Sequence, residues 1–483
     1  MLGRFLRDSA FYSASAALSR GVAIILVPLY TRFLQPAEYG ALDLLTVVAT
    51  VVNYLVALEI SQGVARVYAE ARTVKDKQEY VSTALWFAAA AYGLFVAVAL
   101  AFPLVIAERL LDSPKWEEAV RAMVLAVGAN GMFFLLQDLL RWQLQPMRHA
   151  VASLAYTAVS TGVGVSMVVI AHAGVSGILY GQCAGAIAGA AVSWWNGAAA
   201  EWKPTYRWVR WREMASYSAP QVISSIAAYF SLYVDRLLIK ELMTLDDVGV
   251  YGVGARIASV VALLMGGFQL GLIPLVFQHH ASPDTRVQMA RVFRYFLAPA
   301  IIILLVLSGF SKDLLWLFAT AQYYGSWGVV PLLAGAMLLA NMYIFVPGIF
   351  IARRTGLVAV INLGTVVVNV IGNLLLIPRF GILGAAFATL ASSMTAFLLY
   401  VYCNRLFYPI PFNWGRITMA GLLGGALAAI LIGVQQFGWP EIASFLLRIA
   451  ICLTGGMVIA MILIGRSELA AAIKKIVPGK KAS

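Results

Sequence analysis

The stretch GLVAVINLGTVVVNVIGNLLLIP, residues 356–378, contains no Asp, Glu, Lys or Arg in 23 positions. A helix needs about 20 mostly apolar residues to cross the hydrocarbon core of a bilayer, so this stretch predicts a membrane-spanning helix. Comparable runs lie at 9–31, 41–62, 81–107, 117–141, 150–172, 175–198, 214–240, 248–277, 289–311, 327–352, 381–404, 416–437 and 442–465. The sequence therefore predicts an all-α polytopic membrane protein with about 14 transmembrane helices.

The composition supports this prediction. Of the 483 residues, 61% are hydrophobic and only 12% are charged, whereas a soluble domain carries about 25% charged residues. So few charges cannot cover the surface of a soluble protein of this length, and the loops between the spans are too short for a soluble domain. A soluble enzyme is therefore excluded, and lipid is the solvent for most of the chain.

The basic residues indicate the orientation. Of the 35 lysines and arginines, 24 fall at the N-terminus, in loops that follow even-numbered helices, or in the C-terminal tail, and 8 fall on the opposite side. The remaining three are Arg20, Arg256 and Arg448, which lie inside predicted spans. Because cytoplasmic loops are enriched in Lys and Arg, this bias predicts that both termini are cytoplasmic.

Two short stretches recur at nearly the same interval. Residues 37–40 (AEYG) resemble 246–249 (DDVG) at an offset of 209, and 173–177 (AGVSG) resemble 380–384 (FGILG) at an offset of 207. Chance recurrence of glycine-rich turns is the alternative, but two agreeing offsets favour a duplication of six helices. Transporters often place the substrate site between such repeats.

The duplication predicts two pseudo-symmetric six-helix lobes plus two extra helices at the C-terminal end. The predicted boundaries are 1–212 for the N-terminal lobe (helices one to six) and 213–410 for the C-terminal lobe (helices seven to twelve). Residues 411–483 would then hold helices thirteen and fourteen, which have no repeat partner, and a basic cytoplasmic tail.

Signatures of catalysis and of metal binding are missing from the sequence. It contains no GxxxxGK[ST] and no HExxH motif. The three cysteines, Cys183, Cys403 and Cys452, are far apart and form no metal-ligand spacing. We therefore expect a protein that moves a substrate rather than an enzyme, with no catalytic residue, no cofactor and no metal site.

Two arginines inside the predicted spans are candidates for anion binding. An arginine at the centre of a span costs about 2.5–3.5 kcal/mol and usually faces a polar interior. Arg20 lies in the middle of the first span, and Arg256 lies in the first half of the eighth. For Arg20 the alternative is an ion pair with Asp43 or Glu59, and for Arg256 it is snorkelling to the interface. Arg448, near the start of the last span, is predicted to snorkel.

Charges at helix ends are candidates for a gate. Asp235 and Arg236 close the seventh span, and Arg32, at the end of the first, is the expected counterpart in the first half. Adjacent opposite charges at a helix end indicate an interfacial gate or a solvated pair, and the alternative for Asp235 and Arg236 is a proton relay.

Polar residues within spans are candidates for contact with the substrate. Asn362, Asn369 and Asn373 are spaced by seven and four residues and share one helix face. Hydrogen bonding between helices is the common use of such residues, and substrate contact is the alternative. Gln269, in the eighth span, has the same two interpretations. The basic segment 203–212 contains Trp208 and Trp211 and directly follows Trp202. Its position between spans indicates contact with anionic membrane lipids rather than with nucleic acid.

Three stretches resemble a known family. They are 26–45, 216–257 and 360–393, and the third contains the pattern N-x3-N-x4-P-x2-G-x2-G-A-A from residue 369 onwards. They are similar to the polysaccharide-transport branch of the multidrug/oligosaccharidyl-lipid/polysaccharide (MOP) exporter superfamily, the Wzx-type flippases. Fourteen helices are shared with the lipid II flippases, but only Ser19-Arg20-Gly21 matches the N-terminal pattern of that group, which argues against lipid II as the cargo.

The resemblance implies a transporter that works by alternating access in the bacterial inner membrane. Its expected cargo is an oligosaccharide on a polyprenyl pyrophosphate, flipped from the cytoplasmic to the outer leaflet for biosynthesis of a surface polysaccharide such as O-antigen or exopolysaccharide. A coupling ion is a possible further partner. The expected substrate-binding residues are Arg20, Arg256, Gln269, Asn369 and Asn373, and the expected gate residues are Arg32, Asp235 and Arg236. The alternatives are a drug/cation antiporter of the same superfamily, similar to the MATE transporters, and a membrane glycan polymerase.

Overall fold

The computed structural model describes residues 21–22, 24–262, 265, 282–352, 354–437 and 439–465. Within these ranges the chain forms helices joined by short turns, and it contains no strand. The described residues belong to two compact units, Met1–Gly252 and Val253–Ser483. The predicted lobe boundaries at 212 and 410 rest on the sequence repeat and remain a prediction.

The helices of the first unit are α1 (Val27–Phe33), α2 (Pro36–Val56), α3 (Ile60–Glu70), α4 (Val74–Ala99), α5 (Pro103–Leu111), α6 (Glu117–Trp142), α7 (Pro146–Val169), α8 (Gly174–Ser193) and α9 (Trp208–Leu242). Helix α10 (Leu245–Ala258) contains the boundary between the units. The second unit continues with α11 (Pro283–Gly309), α12 (Ser311–Phe318), α13 (Val329–Asn341), α14 (Thr355–Phe407), α15 (Trp414–Val434) and α16 (Glu441–Ile464).

Ten helical segments of the described chain are long and apolar enough to cross a membrane. The number is eleven if the two parts of α9, Trp208–Phe230 and Leu232–Leu242, which are bent by 61°, form one span. The prediction of an all-α protein with many membrane-spanning helices is confirmed. The count of fourteen remains a prediction, because the first and eighth predicted spans extend beyond the described residues.

In the second pair of repeated stretches, a glycine of each has a positive φ. Gly174, at the turn between α7 and α8, has φ of 55°, and Gly381 in α14 has φ of 59°. Glycine adopts this left-handed region without the steric cost that a Cβ would bring. The break at Gly381 divides α14 into two arms, which correspond to the predicted spans 356–378 and 381–404.

A cluster of ion pairs fixes the start of α9 on α4. Arg210 Nη2 donates to Asp76 Oδ1 at 2.6 Å, Nη1 donates to the Tyr80 hydroxyl at 2.6 Å, and Nε lies 3.4 Å from Glu79 Oε2. Nearby, Trp208 is exposed, as expected for a segment at a lipid interface. Arg210 itself is therefore used within the protein and not for lipid headgroups.

Replacing Arg210 tests this anchor. We expect Arg210→Ala to lower the Tm of the detergent-purified protein by several degrees, because three partners on α4 lose their donor. Arg212→Ala is the matched control, since Arg212 is exposed and its loss should leave Tm unchanged. Equal Tm values for the two variants would contradict the anchoring role.

Candidate functional site

Helices α2 and α10 begin in the same way, 209 residues apart. At the start of α2, the backbone N–H of Gln35 donates to Glu38 Oε2 at 2.8 Å as one half of a capping box. At the start of α10, Thr244 and Asp247 cap each other, with backbone-to-side-chain distances of 3.2 and 3.3 Å. Each capping box satisfies backbone N–H groups that the first turn of a helix leaves unpaired. The sequence repeat is thus repeated in the hydrogen bonding.

The first turns of α2 and α10 touch backbone to backbone. A Cβ atom added to Gly40 would collide with the carbonyl oxygen of Leu245, and one added to Gly249 would collide with the carbonyl oxygen of Pro36. At the repeat offset of 209, Pro36 corresponds to Leu245 and Gly40 corresponds to Gly249. The contact of Gly40 with Leu245 is therefore the repeat equivalent of the contact of Gly249 with Pro36. The two contacts are thus mutual, as at a self-complementary interface.

A buried group of charges lies one turn beyond this contact. Arg236 Nε donates to Asp43 Oδ2 at 2.7 Å, and Nη1 donates to Asp235 Oδ1 at 2.8 Å. The Tyr251 hydroxyl donates to the second oxygen of Asp235. The exposed fractions are 5% for Arg236, 1% for Asp235 and 8% for Asp43. This set, which we call the charge cluster, connects α2, α9 and α10.

The charge cluster contradicts one interpretation of the sequence. Asp235 and Arg236 are not a solvated pair, because both side chains are buried. Charges taken out of water are tolerated only when they are paired and hydrogen-bonded, and both Asp43 and the adjacent Asp235 accept hydrogen bonds from Arg236. Asp43, one of the two alternative partners considered for Arg20, is bonded to Arg236. The role of Asp235 and Arg236 as a gate remains a prediction.

Arg32 lies elsewhere. It is exposed at the end of α1. The offset of 209 that relates the two capping boxes pairs Arg236 with Val27 rather than with Arg32. Arg32 is therefore not the repeat counterpart of Arg236, and its role as a gate remains a prediction.

The asparagines of α14 bond the two arms of that helix to each other. Asn369 Nδ2 lies 3.3 Å from Thr389 Oγ1 and 3.2 Å from Ser392 Oγ, across the break at Gly381. Asn373 Nδ2 donates to Asn369 Oδ1 at 2.7 Å. Both asparagines are no more than 1% exposed. The contacts of Asn369 are therefore hydrogen bonds between two helical arms. Substrate contact by Asn369 and Asn373 remains a prediction.

Of the other three expected substrate-binding residues, the structure describes only Arg256. Arg20 and Gln269 lie outside the described residues. Arg256 is half-buried in α10. Their role in substrate binding remains a prediction.

Arg448 corrects the sequence interpretation. It is 6% exposed, donates to the carbonyl oxygen of Gly309 at 2.8 Å and pairs with Asp313. The rings of Phe310 and Phe445 lie 5.1 and 5.8 Å from its guanidinium carbon. The prediction that Arg448 snorkels to the surface is wrong, because its side chain is buried and bonds a carbonyl at the end of α11 and the carboxylate of Asp313 at the start of α12.

With this geometry established, comparisons with known proteins identify the fold. The family described as "Polysaccharide biosynthesis protein" matches residues 29–268. These residues include both capping boxes and the charge cluster. The chain is also 26% identical over 238 residues to the probable low-salt glycan biosynthesis flippase Agl15 of Haloferax volcanii. That match covers 48% of this chain and spans half the length of the relative (50%).

Solved structures extend the likeness over nearly the whole chain. The lipid II flippase MurJ in an inward closed conformation has a TM-score of 0.73 and 12% identity, covering 93% of this chain and 98% of MurJ. An inward-facing multidrug resistance MATE family transporter of the MOP superfamily has a TM-score of 0.63 and 12% identity, covering 81% of this chain and 97% of that transporter. At this identity the likeness shows the fold alone. The chain has the fold that MurJ and the MATE transporter share.

These comparisons confirm the family resemblance found in the sequence. Agl15 and MurJ are described as flippases and the MATE protein as a transporter, and none of the three is described as an enzyme. This agrees with the prediction that the chain moves a substrate rather than transforming one. It also agrees with a multi-pass membrane protein.

Two features of the site were missed by the sequence interpretation. The partnership of Asp43 with Arg236 joins residues 193 positions apart, and Tyr251 completes it. One signal was available: Asp43 and Arg236 are charges of opposite sign inside or at the end of apolar spans, and such charges pair with one another. Which carboxylate pairs with which arginine depends on the packing of the helices.

The glycine contact predicts a steric effect. We expect Gly249→Ala to lower the Tm of the purified protein, because the new methyl group collides with the carbonyl oxygen of Pro36, which cannot rotate away. Gly93→Ala is the matched control: Gly93 lies in α4 with no atom within 4 Å of an added Cβ. There, alanine should stabilise the helix by up to about 1 kcal/mol. A Gly249→Ala protein as stable as the control would contradict the close contact.

The charge cluster predicts a dependence on balanced charge. Arg236→Met should destabilise the protein by about 3–5 kcal/mol, because two buried carboxylates lose their cation. Asp43→Asn and Asp235→Asn added together should restore much of the loss, measured as Tm and as the amount of monodisperse protein in detergent. Arg72→Ala, which removes an exposed arginine, should have no effect. If the two asparagine substitutions deepen the defect, the carboxylates are not the cause of the instability.

Proposed function

We propose that this protein flips an oligosaccharide linked to polyprenyl pyrophosphate from the cytoplasmic to the outer leaflet of a bacterial inner membrane. The observation that carries the proposal is the combination of the fold that MurJ and the MATE transporter share with the match to a polysaccharide biosynthesis family over residues 29–268. Agl15, a probable glycan biosynthesis flippase, and MurJ, a lipid II flippase, support a cargo of lipid-linked glycan. The product would serve the biosynthesis of a surface polysaccharide.

The chemistry of such a cargo fits the candidate residues. Sugars and a pyrophosphate cannot cross a hydrocarbon core about 30 Å thick without a polar path. A guanidinium group matches phosphate oxygens in a planar, two-pronged geometry. Arg20 and Arg256, both inside predicted spans, are the proposed ligands of the pyrophosphate, with Gln269, Asn369 and Asn373 as proposed contacts for the sugars. The polyprenyl tail can remain in the lipid.

Transport would proceed by alternating access. With both termini cytoplasmic, as the basic residues predict, the starts of α2 and α10 face the outer side. The contact of Gly40 and Gly249 and the charge cluster beside it would then close the outer end of the transport path. For cargo to leave, Arg236 would exchange its carboxylates for water or cargo. The proposed gate is therefore held by steric fit and by a few strong, breakable hydrogen bonds.

The basic segment 203–212 is proposed to rest on anionic lipids at the cytoplasmic surface. Trp208 and the Arg207 side chain, each about 60% exposed, combine an aromatic ring with a cation. This pairing is typical of the membrane interface.

A reconstituted assay tests the proposal. Purified protein is placed in liposomes whose lipid-linked oligosaccharide carries a sugar that an external lectin binds, and the accessible fraction is followed over time. We expect Arg20→Ala and Arg256→Ala each to slow flipping at least about tenfold, because a hydrogen bond to a charged group contributes about 1.5–3 kcal/mol. Arg109→Ala is the control: it removes an exposed arginine of α5 and should flip normally.

The assay also separates the alternatives. Flipping at the wild-type rate by both variants would remove the two arginines from the proposal. Absence of flipping together with efflux of a cationic dye would favour a drug/cation antiporter, which the likeness to MATE structures keeps as the second candidate.

A further inference from the structure

A cavity of about 880 Å³ lies in the second unit, where helices α11 and α15 end and α16 begins. Its walls come from α12, from the 3-10 helix Ala321–Gly328, from the loop between α15 and α16, and from the first turns of α16. Sites for small organic ligands have volumes of about 300–1,000 Å³. Because the cavity lies at the ends of these helices, it is at a membrane surface rather than in the middle of the bilayer. The predicted orientation makes this the outer surface.

Gln435 fixes the walls of the cavity relative to one another. Its Nε2 donates to the carbonyl oxygen of Ser308 at 2.5 Å, and its Oε1 accepts from the backbone N–H of Lys312 at 3.2 Å. The Lys312 Nζ in turn donates to the carbonyl oxygen of Gln435 at 2.7 Å. A second link is the ion pair of the buried Arg448 with Asp313, which joins α16 to α12. A site whose walls are held in place before the ligand arrives loses less free energy on binding.

Three of the 12 tryptophans of the chain line this cavity, namely Trp316, Trp327 and Trp439. Trp316 is 73% exposed and Trp439 is 54% exposed, so a broad ring surface is open to a ligand. Tryptophan is also common at membrane interfaces, where it anchors spans. An anchor needs no cavity, however, and here the rings share one with two carboxylates and a phenol hydroxyl. The face of an aromatic ring is electron-rich, so it attracts the C–H groups that line one face of a sugar ring.

Hydrogen-bonding groups remain available in the same walls. Within the described part of the chain, the Glu441 carboxylate and the Tyr324 hydroxyl make no hydrogen bond and no ion pair, and both residues are exposed. A carboxylate accepts hydrogen bonds at two oxygens, and a phenol hydroxyl both donates and accepts. The hydroxyl groups along the rim of a sugar ring match these partners. A cavity that combines ring faces with such groups fits a sugar better than a lipid tail, which has no hydrogen-bonding groups.

The charges around the cavity balance. Lys312 and Arg448 are its cations, and Asp313 and Glu441 are its carboxylates. Both cations already have partners in the protein, because Lys312 donates to the carbonyl oxygen of Gln435 and Arg448 pairs with Asp313. A phosphate or a uronic acid would meet the Glu441 carboxylate, and like charges brought together oppose binding. The charge balance therefore favours an uncharged saccharide.

We propose that this cavity binds an uncharged oligosaccharide, with sugar rings stacked on Trp316 and Trp439 and with hydroxyl groups bonded to Glu441 and Tyr324. None of the described residues proposed above as cargo ligands is among its lining residues, so it is a separate site. The same chemistry would take the sugars of lipid-linked cargo on its way out or a free glycan at the surface. Holding the sugars of departing cargo rests on the proposed flippase function, whereas saccharide binding does not.

Binding is measured by saturation-transfer NMR on protein in lipid nanodiscs that are free of sugar-headed detergent. The probes are neutral tetrasaccharides of glucose, of mannose and of N-acetylglucosamine, and we expect saturable binding of at least one, with a Kd of about 1 mM or below. Trp316→Ala and Trp439→Ala should each weaken that binding about fivefold, because each removes a stacking surface. Both side chains are exposed, so both variants should fold. Glu441→Ala should also weaken binding, and Glu441→Gln, which keeps an acceptor oxygen, should retain more of it.

The matched control is Trp195→Ala, which removes an 80% exposed tryptophan of the first unit and should bind sugar as the wild type does. Absence of binding of all the neutral tetrasaccharides to the wild type would overturn the site and leave membrane anchoring as the role of the tryptophans. An equal loss of binding in Trp195→Ala would overturn it as well. Tighter binding of a tetragalacturonate than of any neutral probe would overturn the proposal of an uncharged ligand.

The reconstituted flipping assay distinguishes the two sources of sugar. Slower flipping by the double variant of Trp316→Ala and Trp439→Ala would assign the site to departing cargo. Flipping at the wild-type rate by the double variant, together with its loss of tetrasaccharide binding, would assign the site to a free glycan. If tetrasaccharides bind but the wild type does not flip lipid-linked oligosaccharide, the site stands and the flippase proposal fails.

Discussion

The charge cluster is the interaction on which the arrangement of α2, α9 and α10 depends. Arg236, Asp43 and Asp235 are buried among apolar helices, where an unpaired ion would cost several kcal/mol. Arg236 bonds both carboxylates, so the helices that carry the three charges must meet where its guanidinium reaches Asp43 and Asp235. Apolar contacts between helices in a bilayer are less selective, because lipid tails offer a similar environment. Ion pairing therefore supplies specificity that hydrophobic burial cannot.

The glycine contact beside the cluster adds a second constraint. Gly40 and Gly249 allow two helix backbones to approach more closely than any other residue would permit. The capping boxes at both helix starts then satisfy N–H groups that would otherwise lie unpaired near the membrane. Steric fit, capping and ion pairing all occur within about two turns of α2 and α10.

At its other end, α2 shows the opposite behaviour. The turn at Leu58 and Glu59 is strained and borders a cavity. The first turn of the helix, in contrast, is tightly packed. One rigid helix thus connects a firm contact to a strained turn. A helix with one fixed and one adjustable end can transmit a local event over about 30 Å, as the proposed alternating access would require. The MATE and MurJ structures show that this fold serves more than one cargo, so the cargo is decided by side chains rather than by helix layout.

The sequence by itself determined the class of the protein, since hydropathy and the scarcity of charge admit no solvent other than lipid. It also revealed the repeat: Gly40 with Gly249 and Gly174 with Gly381 recur at related turns, because turn chemistry is local and survives in sequence. It left open which charges pair. The hydrogen bond from Arg236 to Asp43 joins residues 193 positions apart. Arg448 forms an ion pair with Asp313, which the sequence did not predict. These outcomes belong to the tertiary structure, because the free energy of a charge in lipid depends on which helices lie beside it. The strained turn at Glu59 was invisible for the same reason, since no local signal favours a left-handed leucine and glutamate.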